Sequence, residues 1–170
     1  AMGRTAVIGN PMLPDVNIGP VTTPPQYQKI MDYIDVARAK GARCVLGGQR
    51  ACGPDLDQGL FVEPTIFVDV TNDMRIAQEE VFGPVLSVIG FDDEADAVRI
   101  GNDVIYGLAA GVWTKDIGRA VRMTKALKAG MVWVNTYRAV SYMVPFGGIK
   151  SSGLGRESGL HAIDEFLETK

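Results

Sequence analysis

Residues 78–85 read QEEVFGPV and set two carboxylates, Glu79 and Glu80, ahead of Val81 and Phe82 before Gly83 and Pro84 turn the chain. A carboxylate and an aromatic ring are thereby held at a strand mouth, where open α/β sheets take their ligands. The same residues also suit a solvated acidic pair beside a core phenylalanine. A second stretch, VPFGGIKSSGLGRESG over residues 144–159, raises phosphate binding. A dinucleotide cradle needs G-x-G-x-x-G between a strand and a helix, so that the backbone can approach the pyrophosphate. Gly153, Gly155 and Gly159 miss that spacing by one residue, and Lys150 comes too early for a P-loop. The residue types fit a glycine-permitted loop leading into the last helix. Two thiols and one imidazole complete the inventory: Cys44, Cys52 and His161. A nucleophilic cysteine needs a base, a cation or a helix N-terminus to lower its pKa, and Arg50 in a loop is slender support for Cys52. His161 sits in a helical pattern with no second ligand near it in sequence, so a structural or surface place is expected.

The composition narrows the classes. A chain of 170 residues with 46% hydrophobic residues can bury one sizeable core, and a single domain over residues 1–170 is the expectation. A net charge of −3 gives no basic excess for nucleic-acid phosphates or anionic lipid, so neither is an expected partner. The lack of any long apolar run or secretory layout predicts a cytoplasmic address. Two cysteines and one histidine offer no metal-ligand spacing.

Certain elements must carry these residues. The opening to about residue 20 has no period and reads as an extended surface segment. Thr23, Pro24 and Gln26 predict a helix start with a capping box. Tyr27, Ile30, Ile34 and Ala37 draw one apolar stripe, and Gly41 supplies a left-handed stop. RCVLGG, FVEPTIFVDV and PVLSVIGF read as strands, with an irregular piece around DMRIAQEEVFG. DDEADAVRIGND and DIGRAVRMTKALKAG read as helices, the second with Ile117, Val121, Thr124 and Leu127 on one face. GLAAGVWT and GMVWVN suit buried strands, and SGLHAIDEFL, with Leu160, Ile163 and Leu167 together, predicts a closing helix. The fold class expected is α/β, an open, mostly parallel sheet with helices on both faces.

In order, PTIFVDVTNDMRIAQEEVFGPVLSV, YGLAAGVWTKD, GMVWVNTY and PFGGIKSSGLGRESG resemble the NAD(P)-dependent aldehyde dehydrogenases, and the likeness runs from about residue 9 to the end. The resemblance implies the C-terminal part of that family's catalytic α/β domain, without the Rossmann-like cofactor domain. Its nucleophile motif, G-Q-x-C, and its general-base motif, E-L-G-G, would lie upstream. In GQRAC the cysteine falls one residue late, so Cys52 does not inherit the nucleophile's role and no catalytic residue is assigned here.

By the same resemblance, Glu80 accepts hydrogen bonds from the nicotinamide-ribose hydroxyls of NAD or NADP and Phe82 braces the nicotinamide. Phe146 matches the aromatic wall of the aldehyde tunnel, and Val140 stands where relatives carry a varying, substrate-facing side chain. The parent enzyme would oxidise an aldehyde to a carboxylic acid through a cysteine thiohemiacetal and would be a homo-oligomer, while the 170-residue chain alone would be inactive. The alternative is a stand-alone, non-catalytic binding or assembly module of the same descent.

Overall fold

Thr23 opens the first helix as predicted: its Oγ1 accepts from the Gln26 amide at 3.4 Å, and Pro24 lies in the first turn of α1, Pro24–Ala39. The capping box is not completed, because the Gln26 side chain is spent on distant carbonyls. Gly41, at φ 92°, supplies the expected stop. This computed structural model describes residues 5–168, and the chain divides after Gly90 into two compact units.

In the first unit, Ile30, Ile34 and Ala37 of α1 are buried, so the predicted stripe faces a core. That core adds Ala42, Val62, Phe67, Val70, Ile76 and Val81. Strand β1, Arg43–Leu46, pairs antiparallel with β2, Thr65–Val68, through a bulge between Cys44 and Leu46. β2 pairs in parallel with β3, Val85–Ser87, giving the sheet order β1-β2-β3. β2 alternates buried and half-buried residues, with Phe67 fully inside. Its buried Thr65 is satisfied, since Oγ1 donates to the Glu63 carbonyl at 2.8 Å and accepts from the Gly48 amide at 2.9 Å. The crossover from β2 to β3 contains a short helix, α2, Arg75–Gln78, and then the residues Glu79 to Pro84.

The second unit begins with α3, Glu94–Asn102, capped by Asp93, whose carboxylate accepts from the Asp96 amide at 2.8 Å. β4, Tyr106–Gly107, pairs antiparallel with β7, Ile149–Lys150. β5, Ala109–Val112, pairs in parallel with β6, Met131–Val134, around the crossover helix α4, Ile117–Ala126. Asp116 caps α4 and Lys125 lies in its last turn. The α4 stripe departs from expectation: Ile117 and Val121 are exposed, and Ala120 is the buried residue. Its small side chain lets α4 lie close to β5 and β6.

The α/β class is thus present as open, mixed sheets, parallel at β2–β3 and β5–β6 and antiparallel at β1–β2 and β4–β7. The closing helix differs from the sequence expectation. Leu160–Phe166 forms a 3-10 helix, and Leu160, Ile163 and Leu167 are all exposed. An i, i+3 pattern serves a 3-10 turn as well as an α-helix, and no buried apolar face selects the longer form. Among the described residues no helix is long and apolar enough to cross a membrane.

Candidate functional site

The first set of predicted site residues lies on the crossover into β3. Here the side chains alternate: Glu80 is exposed, Val81 is buried in the core cluster, and Phe82 is 74% exposed. Val81 is therefore the anchor, and its neighbours on both sides are turned outward. The reading of Phe82 as a core phenylalanine is excluded by its exposure. Phe82 also has φ 57°, a left-handed backbone that is costly for an aromatic residue. Gly83 follows because α1 leaves no room for more: a Cβ there would lie 2.6 Å from Cδ1 of the buried Ile30. Beside Phe82 a hollow of about 360 Å³ is lined in part by Val21, Thr23, Gln26, Val62 and Pro84.

Helix α1 holds this strained segment by its carbonyls and by one carboxylate. Gln26 Nε2 donates to the carbonyls of Val81 and Phe82 at 2.9 and 3.0 Å, and Lys29 Nζ donates to the Glu80 carbonyl at 2.8 Å. Tyr33 donates its hydroxyl to Glu79 Oε2. Arg75 grips the same carboxylate through Nε to Oε1 at 2.8 Å and Nη2 to Oε2 at 2.7 Å. Its guanidinium also sits 5.3 Å from the centre of the Tyr33 ring. The hydrogen bonds from Arg75 and Tyr33 hold the Glu79 carboxyl down at about 2, while the bond to Glu79 raises the Tyr33 hydroxyl above its ordinary 10.0. Glu79 and Glu80 are thus unequal: Glu79 is committed to the fold, and no described residue bonds to the side-chain carboxylate of Glu80.

Val140 and Phe146 belong to the second unit. Trp133 of β6 is nearly buried, and its indole Nε1 donates to the Ala139 carbonyl at 2.9 Å, fixing the chain one residue before Val140. Val140 itself is 53% exposed. Phe146 is half-buried and is tied by its backbone to Glu157, with both amide–carbonyl bonds at 2.7 Å. The following glycines allow backbone to pack on backbone: a Cβ on Gly130 would fall 1.8 Å from the Gly147 carbonyl oxygen. Gly159, at φ 66°, caps the 3-10 helix, and its amide donates to the Tyr142 carbonyl at 2.8 Å. The glycine-rich stretch therefore shapes a loop around Phe146.

The thiols stand apart from any base. Cys44 donates to the carbonyls of Leu46 and Gly47, and exposed Cys52 donates to the Arg50 carbonyl at 3.7 Å. His161 lies on the 3-10 helix, exposed, 3.3 Å from Asp164. Among the described residues no group of three or more His, Cys, Asp or Glu is placed to hold a metal ion.

Comparison with known proteins gives the same reading of descent. Residues 2–170 match the aldehyde dehydrogenase family. The chain is 48% identical over 163 residues to an aldehyde dehydrogenase of Emericella nidulans, covering 96% of this chain and 32% of that protein. It is 46% identical to human aldehyde dehydrogenase 1A1, with the same coverage. A crystal structure of betaine aldehyde dehydrogenase from Staphylococcus aureus, in complex with NAD+, superposes with a TM-score of 0.95 at 44% identity, covering 99% of this chain and 34% of that one. The chain therefore spans about a third of the length of these relatives. Matched from end to end in sequence and in fold, it belongs to the aldehyde dehydrogenase family.

Proposed function

We propose that this chain is the C-terminal part of the catalytic domain of an NAD(P)-dependent aldehyde dehydrogenase, and that Glu80 and Phe82 are its contribution to the nicotinamide end of the cofactor site. The observation that carries this is the contrast between two adjacent carboxylates. Glu79 is saturated by Arg75 and Tyr33, whereas Glu80 is exposed and unengaged beside an exposed aromatic ring on left-handed backbone. Such a carboxylate suits a vicinal diol, whose two hydroxyls donate to its two oxygens. The Phe82 ring offers a flat apolar surface to a planar heterocycle. These residues fit the dinucleotide that relatives bind. When bound, NAD(P)+ supplies the two-electron acceptor for aldehyde oxidation. The role of this chain is to hold and orient: Glu80 fixes the sugar, and Phe82 limits the tilt of the ring.

On this reading the substrate is an aldehyde and the product a carboxylic acid, formed through a thiohemiacetal on a cysteine upstream of this chain. The family's G-Q-x-C and E-L-G-G motifs belong to that upstream region, as does a Rossmann-like domain, and the present chain alone is inactive. Phe146 and Val140 line the aldehyde's approach. The full protein is a cytoplasmic homo-oligomer.

The test uses the full-length protein. Glu80→Gln keeps the side chain's size but exchanges one acceptor oxygen for a donor and removes the charge. A hydrogen bond to a charged group is worth about 1.5–3 kcal/mol, so NADH binding, read by fluorescence, should weaken by about 10- to 100-fold. Oxidation of a deuterated aldehyde should slow with a larger primary isotope effect than in the parent. Unchanged affinity together with an unchanged isotope effect would return Glu80 to the status of a surface carboxylate.

A further inference from the structure

We infer that Tyr33, Arg75 and Glu79 form a clamp that positions the Glu80 carboxylate and the Phe82 ring for the dinucleotide; the inference rests on the reading of Glu80 as ribose anchor. Glu79 is the residue immediately before Glu80, so fixing its side chain fixes the peptide from which the Glu80 side chain springs. Three hydrogen bonds from two residues do this. Arg75, one turn earlier in the chain, closes a two-pronged pair on the Glu79 carboxylate, and Tyr33 donates to the same group from α1. Two cations also lie against the Tyr33 ring, Arg75 at 5.3 Å and Lys29 Nζ at 5.7 Å from its centre. Tyr33 also stands on the same face of α1 as Gln26 and Lys29, at spacings of three and four residues, and these two hold the next three carbonyls. One helix face therefore grips every residue from Glu79 to Phe82.

The clamp is poorly suited to a purely stabilising role. The Arg75 and Glu79 side chains are 56% and 41% exposed, and ion pairs so placed add little to folding. What a two-pronged pair with a third donor does supply is direction, by removing the rotations that would swing the next peptide. Direction is what a diol-binding carboxylate needs, because its hydrogen bonds weaken steeply with angle. Tyr33, Arg75 and Glu79 touch no ligand in this scheme and act only through Glu80 and Phe82.

A double-mutant cycle on the full-length protein decides the point. Tyr33→Phe removes one hydroxyl while keeping the ring that packs on the core, so folding is preserved. It should weaken NADH binding about 3- to 10-fold, the value of one net hydrogen bond, and increase backbone motion at Glu80, Val81 and Phe82, read by NMR order parameters, in the dinucleotide-free protein. In a Glu80→Gln background Tyr33→Phe should weaken binding by less than it does in the parent, because the share of its effect that passes through Glu80 is already lost. Equal weakening in both backgrounds would overturn the clamp, and so would unchanged affinity in Tyr33→Phe where Glu80→Gln alone binds poorly. An inert Glu80→Gln would overturn the ribose reading and the clamp with it.

Discussion

Arg75 holds Glu79 from one turn earlier in the chain, with Nε 2.8 Å from Oε1 and Nη2 2.7 Å from Oε2, and the carboxyl titrates near 2 in consequence. Because the folded value lies below the ordinary 4.5, the pair's contribution is complete above about pH 4.5, falls as the pH drops and is gone below about 2. Tyr33 has the opposite sign. Its raised value keeps the donating hydroxyl intact up to and beyond its ordinary 10.0 and loses it at higher pH. The clamp is thus whole across the neutral range. Carboxylate NMR on the full-length protein should place the Glu79 midpoint near 2, moving up toward the ordinary value in Arg75→Ala. A midpoint that ignores Arg75 would remove that residue as its cause.

The sequence disclosed what is encoded locally. Thr23 and Pro24 mark the start of α1 because a cap and a proline act within one turn, and the acidic opening of DDEADAVRIGND marks α3 through the helix macrodipole. The clamp was not legible, because Tyr33 and Glu79 lie 46 residues apart and Lys29 and Glu80 lie 51 apart. Their one sequence trace is the polar spacing of Gln26, Lys29 and Tyr33 beside the apolar stripe. The sequence offers Gln26 a capping box, a short-range partner that loses to the carbonyls of Val81 and Phe82. At the other end of the chain, Leu160, Ile163 and Leu167 carry a helical spacing with no packed face to enforce it, and the result is an exposed 3-10 turn.

Gly83→Ala probes the packing beneath Phe82. The new Cβ would sit 2.6 and 2.7 Å from Cδ1 and Cγ1 of Ile30, which is fully buried and β-branched and so cannot swing aside. Overpacking of this kind costs about 1–3 kcal/mol. Denaturant unfolding of the full-length protein should show a loss of that size, accompanied by weaker NADH binding as the Phe82 turn is pushed off α1. Unaltered stability would mean that the turn has slack at this point.

The chain by itself should show no aldehyde-dependent formation of NADH. Cys44 and Cys52 donate to backbone carbonyls, and no described basic side chain is bonded to either. A nucleophilic thiol needs a base to take its proton, and none is bonded to these two. Turnover by the pure chain that disappears in Cys52→Ala would reverse this assignment.

Phe146 and Val140 should set aldehyde preference without affecting the fold. The Phe146 backbone is paired with Glu157 through its own amide and carbonyl, so Phe146→Ala removes the ring and leaves the pairing in place. Val140 is 53% exposed and follows a carbonyl fixed by Trp133, so Val140→Phe adds bulk at a defined point without entering a core. If both line the aldehyde's approach, the first substitution should favour larger aldehydes and the second smaller ones. Changes in pocket volume discriminate by about 1–3 kcal/mol, or roughly 10- to 200-fold in relative kcat/KM. The measurement is kcat/KM of the full-length enzyme across straight-chain and aromatic aldehydes, with NADH affinity as the control, since neither residue is assigned to the dinucleotide. Opposite shifts at constant NADH affinity place both side chains on the substrate path. An unchanged order of preference in both variants would remove them from it.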